Sequence, residues 1–284
     1  MGRRWVQIEE TFFVVLMKLS LILVLGSLVI ILITILIKGL PALDLAMLTQ
    51  VPKGGYYLGK EGGVLNAITG SIALAGGATL ISFFLALAVA LYLHNFCSNE
   101  RWAGMLRLAM DILWGVPSIV YGAFGFTLML LIGLRASLLG GIIVLVLLEL
   151  PIMARTMDET MTMVPDALKE ASYAVGATRL ETAFKVIVRQ TFPGLVTALL
   201  LGFGRGIGDA ASVLFTAGYT DRLPSSLFRP VASLPLAVFF QLGTPVADVR
   251  ARAYASALIL TVLILIISFL TRFFSRRGMR HVIR

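Results

Sequence analysis

Six apolar runs, each close to the length needed to cross a bilayer, constrain this chain more than any other feature. A spanning helix takes about 20 apolar residues at about 1.5 Å per residue. Runs of this kind occupy residues 19–37, 67–93, 112–132, 138–153, 195–216 and 256–274. The composition agrees. Of 284 residues, 58% are apolar and only 14% charged, whereas soluble domains carry about a quarter charged residues. The expected fold is an all-α integral membrane protein of about six helices. It has a single domain over residues 19–274, with residues 1–18 before it and a basic tail at 275–284 after it. The opening "MGRRWVQIEE" is basic, and no small-residue cleavage site closes the first run. A retained helix is therefore expected, not a signal peptide.

The 24 Lys and Arg residues set the expected orientation. With both termini cytoplasmic, 15 lie inside, 8 outside, and Arg205 falls in the membrane. That excess is the positive-inside pattern, and it places the long loop 154–194 in the cytoplasm. The net charge of +9 is spread along the chain, so it marks topology and not a nucleic-acid surface. One cysteine, Cys97, and two distant histidines argue against a structural metal site. The proline-rich stretch 217–255 contains "LPLAVFFQL", too short to span and read as interfacial or re-entrant.

Two glycine motifs invite a nucleotide reading and fail it. "GGYYLGKE", residues 54–61, matches GxxxxGK but ends in Glu61, where a phosphate-binding loop needs Ser or Thr between a strand and a helix. "GIGDAA", residues 206–211, lies inside an apolar run and not at a strand-to-helix turn. Small-residue packing accounts for it better. Gly202 and Gly206 are four apart, as are Gly204 and Gly208, a spacing that lets helix backbones approach closely.

That run also carries charge. Arg205 and Asp209 stand at i and i+4, on one helical face. Gly202, Ser212 and Thr216 fall near the same side, with Leu200, Phe203, Ile207 and Leu214 opposite. An arginine at membrane depth normally faces a bundle interior or a wet pathway. Arg155, after Pro151 in the fourth run, is a weaker pathway candidate, with Glu149 as a possible partner. Pro117 is expected to kink or end a helix, which would leave Ser118 and Tyr121 free to face the path.

The loop 154–194 reads as two surface helices. One starts after Pro165 with Asp166 near its positive end. Gly176 permits a sharp turn. A second helix over 179–188 places Leu180, Ala183, Phe184 and Ile187 on one face. Pro193 then closes the unit.

Within this loop Glu170, Ala171, Ser172 and Gly176 resemble the EAA motif of bacterial ABC importer permeases. In that family the motif forms a short coupling helix that docks on the ATPase subunit. The resemblance implies ATPase coupling for Glu170, Ala171, Ser172 and Gly176. Arg189 stands where the family usually has a proline. "MLTQVPKGGYYLGKEGGVLNAITGSI", "WGVPSIVYGAFGF" and "GRGIGDAASVLFTAG" are similar, in order, to segments of the PstA-type permeases of phosphate ABC importers. Typical members read "RAIGET" where this chain has Arg205-Gly206-Ile207-Gly208-Asp209-Ala210.

The resemblance implies a type I ABC importer permease fold in a bacterial inner membrane. It implies four kinds of neighbour: a second homologous permease as heterodimer partner, an ATPase dimer, an extracytoplasmic phosphate-binding protein, and membrane lipid. ATP and magnesium would belong to the ATPase, and this chain would have no catalytic residue, metal or cofactor. On this reading Arg205 lines the path and binds phosphate transiently, with Ser212 and Thr216 beside it. Asp209 has three possible roles: neutralising Arg205 between transport events, accepting a hydrogen bond from a protonated phosphate oxygen, or joining an ion pair between permease subunits. Alternatives of the same kind are a sulfate or molybdate permease and the sister phosphate permease. A non-transporting membrane scaffold is the alternative of a different class.

Overall fold

The computed structural model describes residues 3–53, 61–97 and 99–278. Most of the GxxxxGK match (54–60) and the last residues of the basic tail (279–284) lie outside the described residues.

In chain order, α1 is Arg3–Gly39 and α2 is Leu45–Thr49. β1 (Pro52–Lys53) pairs antiparallel with β2 (Glu61–Gly62). α3, Leu65–Leu91, continues through a π-helical turn at Tyr92–Phe96. α4 (Glu100–Gly115) and α5 (Ser118–Leu131) meet at a bend of 100°. α6 is Leu138–Thr162 and α7 is Asp166–Ala174. α8 (Arg179–Glu181) and α9 (Val188–Gln190) flank a π-helical turn at Thr182–Ile187. α10 is Phe192–Ile207, bent 73° from the helix before it. α11 is Leu234–Leu242 and α12 is Ala247–Gly278.

Among the described residues, four helices are long and apolar enough to cross a membrane: α1, α3, α6 and α12. Counting each bent pair, α4 with α5 and α8–α9 with α10, as one span gives six. The protein is a multi-pass membrane protein.

The core forms around α6, whose apolar window is 72% buried, while that of α1 is 0% buried. The reason lies in side-chain size. α3 turns Ala67, Gly70, Ser71, Leu74, Ala75, Ala78, Thr79 and Ser82 inward, and such small residues let helices approach within a bilayer. Gly141 of α6 sits against Leu74 and Ala217, and Gly125 of α5 against Val144. α1 touches α12 at its far end, where a Cβ on Gly39 would come within 2.7 Å of the Tyr254 carbonyl oxygen.

α1 begins at Arg3, inside the residues read as a terminal segment, and α12 begins at Ala247, nine residues before the sixth run; three further boundaries differ from the sequence reading. The fourth run does not stop near Met153. α6 carries Pro151 inside it and continues to Thr162, because its extra turns bury Met157, Asp158 and Met161. The third run is not one spanning helix. Residues 100–111 already belong to α4, and the chain turns at Val116–Pro117. Pro117 lacks an N–H and disfavours helix in the residue before it. Tyr121, expected to face the path, is buried instead, and its hydroxyl donates to the Leu113 carbonyl across the bend (2.9 Å). The fifth run ends as a helix at Ile207, not at Thr216.

Residues 208–233 form a non-helical segment whose two ends, 209–217 and 231–233, pack against α3, α5 and α6, while its middle, 221–230, is largely exposed. Lipid supplies no hydrogen bonds, so backbone of this kind must be enclosed by protein. Enclosure is provided by specific bonds. The Ser137 N–H donates to Thr216 O (2.9 Å), Val231 N–H to Ala217 O (3.0 Å), and Leu138 N–H to Arg229 O (2.9 Å). The Leu234 N–H donates to Ser71 Oγ (2.8 Å), and Asn66 Nδ2 donates to Thr220 O (2.7 Å). Gly70 admits this segment to α3, since a Cβ there would overlap the Ala232 carbonyl oxygen. The apolar piece of the 217–255 stretch becomes α11, whose first turn, Leu234, Pro235, Leu236 and Ala237, is buried.

Gly70→Val should therefore cost about 1–3 kcal/mol by overpacking. Gly76→Ala, at a position with no heavy atom within 4 Å of the new Cβ, should be close to neutral. Thermal unfolding of the two purified variants checks the contrast.

Candidate functional site

α10 presents two unlike faces. Leu195, Ala198, Gly202 and Gly206 are buried, and both glycines lie against α6. A Cβ on Gly202 would meet Met153 Sδ at 2.5 Å and Glu149 Oε2 at 3.6 Å, and one on Gly206 would overlap Glu149 Oε1. The other face, Thr197, Leu201, Gly204, Arg205 and Gly208, is exposed. Gly204 and Gly208, expected to pack like the other pair, have no side chain of the described residues against them. They leave a smooth strip beside Arg205 that no described residue covers.

Arg205 and Asp209 do not share a helical face. The helix ends between them, with Gly208 as its C-terminal residue and Asp209 beyond it. The i, i+4 rule holds only while the helix continues. Arg205 stays exposed in the last turn, whereas Asp209 is 8% exposed. Its Oδ2 accepts the Ser212 N–H at 3.2 Å, closing the turn that follows. Ser212 and Thr216, expected beside Arg205, are fully buried in the non-helical segment. The Thr216 hydroxyl donates to Ser212 O at 3.1 Å. A cavity of about 10 Å³ separates Asp209 and Gly206 from Ser71 and Ser233, room for about one water.

Arg155 does not meet Glu149. It bonds Asp111 Oδ1 through Nε (2.8 Å), Asp158 Oδ2 through Nη1 (3.4 Å) and Glu159 Oε1 through Nη2 (3.3 Å). Arg107 of α4 grips the fully buried Asp158 with two bonds, Nε to Oδ2 at 2.7 Å and Nη2 to Oδ1 at 3.1 Å. This network fastens α4 to the end of α6. The sequence reading starts its third run at residue 112, and the spacing of Arg107, Asp111, Arg155 and Asp158 has meaning only once both helices are present.

Glu149 was missed as a feature in its own right. It is fully buried in mid-helix, and Oε2 accepts the Thr79 hydroxyl at 2.9 Å. Oε1 has no partner among the described residues. The available signal was the pairing of one acid in the fourth run with glycines in the fifth.

The loop between α6 and α10 forms the projecting end. α7 starts after Pro165, and Lys169 Nζ bonds Asp166 Oδ1 at 3.0 Å, which holds the Asp166 carboxyl below its usual range. Glu170 and Ala171 are exposed, and Gly176 turns the chain with φ +83°. Ser172 faces inward, its hydroxyl 2.9 Å from that of Thr182. Ala183 and Ile187 pack as expected, but Leu180 and Phe184 are 60% and 57% exposed. The π-helical turn bonds five residues back and breaks the 3.6-residue stripe. With Met163, Tyr173 and Val175 they leave apolar side chains uncovered at this end.

Residues 78–280 match the model of the family described as binding-protein-dependent transport system inner membrane component. The chain belongs to this family. Among its relatives is the phosphate transport system permease protein PstA of Haemophilus influenzae, 32% identical over 86% of each chain. Another is PstA 1 of Mycobacterium tuberculosis strain H37Rv, 34% identical over 77% of this chain and 72% of that one. The fold is shared with solved ABC transporters. A chain of the MetNI methionine transporter superposes with a TM-score of 0.64 at 19% identity, covering 76% of this chain and 96% of that chain. A chain of a bacterial alginate transporter gives 0.64 at 14% identity, covering 99% and 100%.

Asp158→Ala should destabilise the family member described here by about 2 kcal/mol, because it removes the two charge-assisted bonds that hold Arg107. Glu159→Ala, which removes an exposed partner, should cost less than about 0.5 kcal/mol. Thermal unfolding of both variants measures the difference.

Proposed function

We propose that this chain is the membrane-spanning permease subunit of an ATP-driven importer of inorganic phosphate. It forms half of the translocation pathway and couples to a separate ATPase through α7. The observation that carries the reading is the uncovered Arg205 at the broken end of α10, in a chain whose relatives are phosphate permeases. A guanidinium offers fixed, planar donors that suit phosphate oxygens. The exposed face of α10 belongs against a second, homologous permease, so that Arg205 lines the path between the two. An extracytoplasmic phosphate-binding protein delivers the substrate. ATP and magnesium act on the ATPase dimer, and this chain is not itself an enzyme. Both termini and α7 face the cytoplasm of a bacterial inner membrane, as the Lys and Arg distribution favours.

Coupling follows from the projecting end. Glu170, Ala171 and Gly176 present α7 outward, and Val175, 84% exposed, leads its apolar surface. Ser172 braces the helix from behind through Thr182. Movement received by α7 reaches α10 through α8 and α9, which adjoin it in sequence. Arg155 clamps α4 to α6 and acts as a structural fastener, not a phosphate ligand.

In the reconstituted complex, Arg205→Ala should lower phosphate uptake at least tenfold while the subunits still assemble. Uptake near the wild-type rate would reject the pathway role, and uptake of sulfate in place of phosphate would reject the substrate. Val175→Asp should lower phosphate-stimulated ATP hydrolysis by weakening ATPase docking, measured as the yield of ATPase co-purifying with the permease.

A further inference from the structure

A basic and an acidic side chain, neither with a charge partner among the described residues, meet at α10: Arg205 on that helix and Glu149 of α6 against its glycines. Arg205 makes no ion pair or side-chain hydrogen bond among the described residues and is exposed. Glu149 is fully buried, and its Oε1 has no partner. Among the described residues, the elements around Glu149 bring it no cation. α3 supplies the Thr79 hydroxyl, α10 supplies Gly202 and Gly206, and α6 itself supplies Met153. An uncompensated acid inside the membrane is expensive, and it marks a functional site by default.

The two groups are within reach of each other. Arg205 lies three residues from Gly202, about 60° around the helix from it. Positions three apart on a helix have Cβ atoms about 5–6 Å apart. Glu149 Oε2 lies 3.6 Å from the Cβ position of Gly202, and Oε1 lies in the space a Cβ on Gly206 would occupy. The gap is one an arginine side chain spans by changing rotamer, and both positions that would block it are glycines. Asp209, the acid nearer in sequence, has its carboxylate committed to the Ser212 N–H.

We propose that Glu149 is the resident counter-ion of Arg205. With no anion in the path, the guanidinium folds across the glycines and pairs with Glu149. An entering oxyanion displaces the carboxylate and takes the guanidinium. Glu149 reclaims it as the anion departs. The benefit is kinetic: a conducting site must bind its ion well enough to admit it and weakly enough to release it. Glu149 is thus a positioning residue acting through Arg205. Only the identity of the displacing anion rests on the phosphate reading.

The test is a double-mutant cycle on the purified, assembled transporter, using Glu149→Gln, Arg205→Gln and the double variant. Thermal unfolding without added oxyanion should show the double variant's loss falling short of the summed single losses by at least about 3 °C. Saturating inorganic phosphate should abolish that coupling. Additive shifts in the phosphate-free protein would overturn the pair. Coupling that persists unchanged in phosphate, in a complex that imports phosphate, would overturn the displacement. Coupling in a complex that neither binds nor imports phosphate would support the pair and reject phosphate as the substrate. As an independent readout, Glu149→Gln should lower both the KM and the maximal rate of uptake severalfold, and an unchanged KM would overturn the proposal.

Discussion

A bilayer gives an exposed peptide group nothing to bond to, and the architecture follows from how the chain meets that constraint where it leaves the helix. Between Ile207 and Leu234 the backbone is irregular, and both ends of that stretch are packed inside the bundle. Its N–H and carbonyl groups are satisfied by α6, by α3 and by one another. Small residues make this possible: Gly70, Gly122, Gly140 and Gly141 each face that segment or its side chains with no Cβ in the way. Ending α10 there places Arg205 at a helix end, on a face this chain does not cover.

Charge is distributed on the same logic. Where α6 leaves the core, Asp158 is buried but gripped by Arg107 and Arg155, so the site is a closed clamp between two helices. Deeper in α6, Glu149 has one hydroxyl and no cation. The first arrangement is complete as it stands and resists change. The second is incomplete, and it lies against Gly202 and Gly206 of the helix that carries the exposed arginine. The difference between satisfied and unsatisfied charge separates the fastener from the moving part.

Much of the fold was legible because lipid demands long apolar runs, and six were visible. The breaks were less legible. Residues 208–216, "GDAASVLFT", have the composition of a helix, and only their enclosure by glycine-bearing neighbours shows that they are not one. Residues 100–111 looked mixed because α4 carries Arg107 and Asp111, whose partners on α6 lie more than forty positions away. Leu180 and Phe184 were placed inward by a 3.6-residue period that the π-helical turn does not keep. Arg205 stood out in the sequence because a lone arginine in an apolar run is conspicuous. Glu149 did not, because its meaning depends on which face of α10 it meets.

The central claim is that Arg205 is open to the translocation path while Ser212, a few residues on, is sealed inside the bundle. Thiol accessibility separates them most directly. In a Cys97→Ser background, Arg205→Cys and Ser212→Cys are introduced singly, and each assembled transporter is exposed to a small membrane-impermeant thiol reagent. The Arg205→Cys transporter should be labelled, and the Ser212→Cys transporter should stay unmodified. Equal labelling of both variants, or labelling of Ser212→Cys alone, would contradict the account.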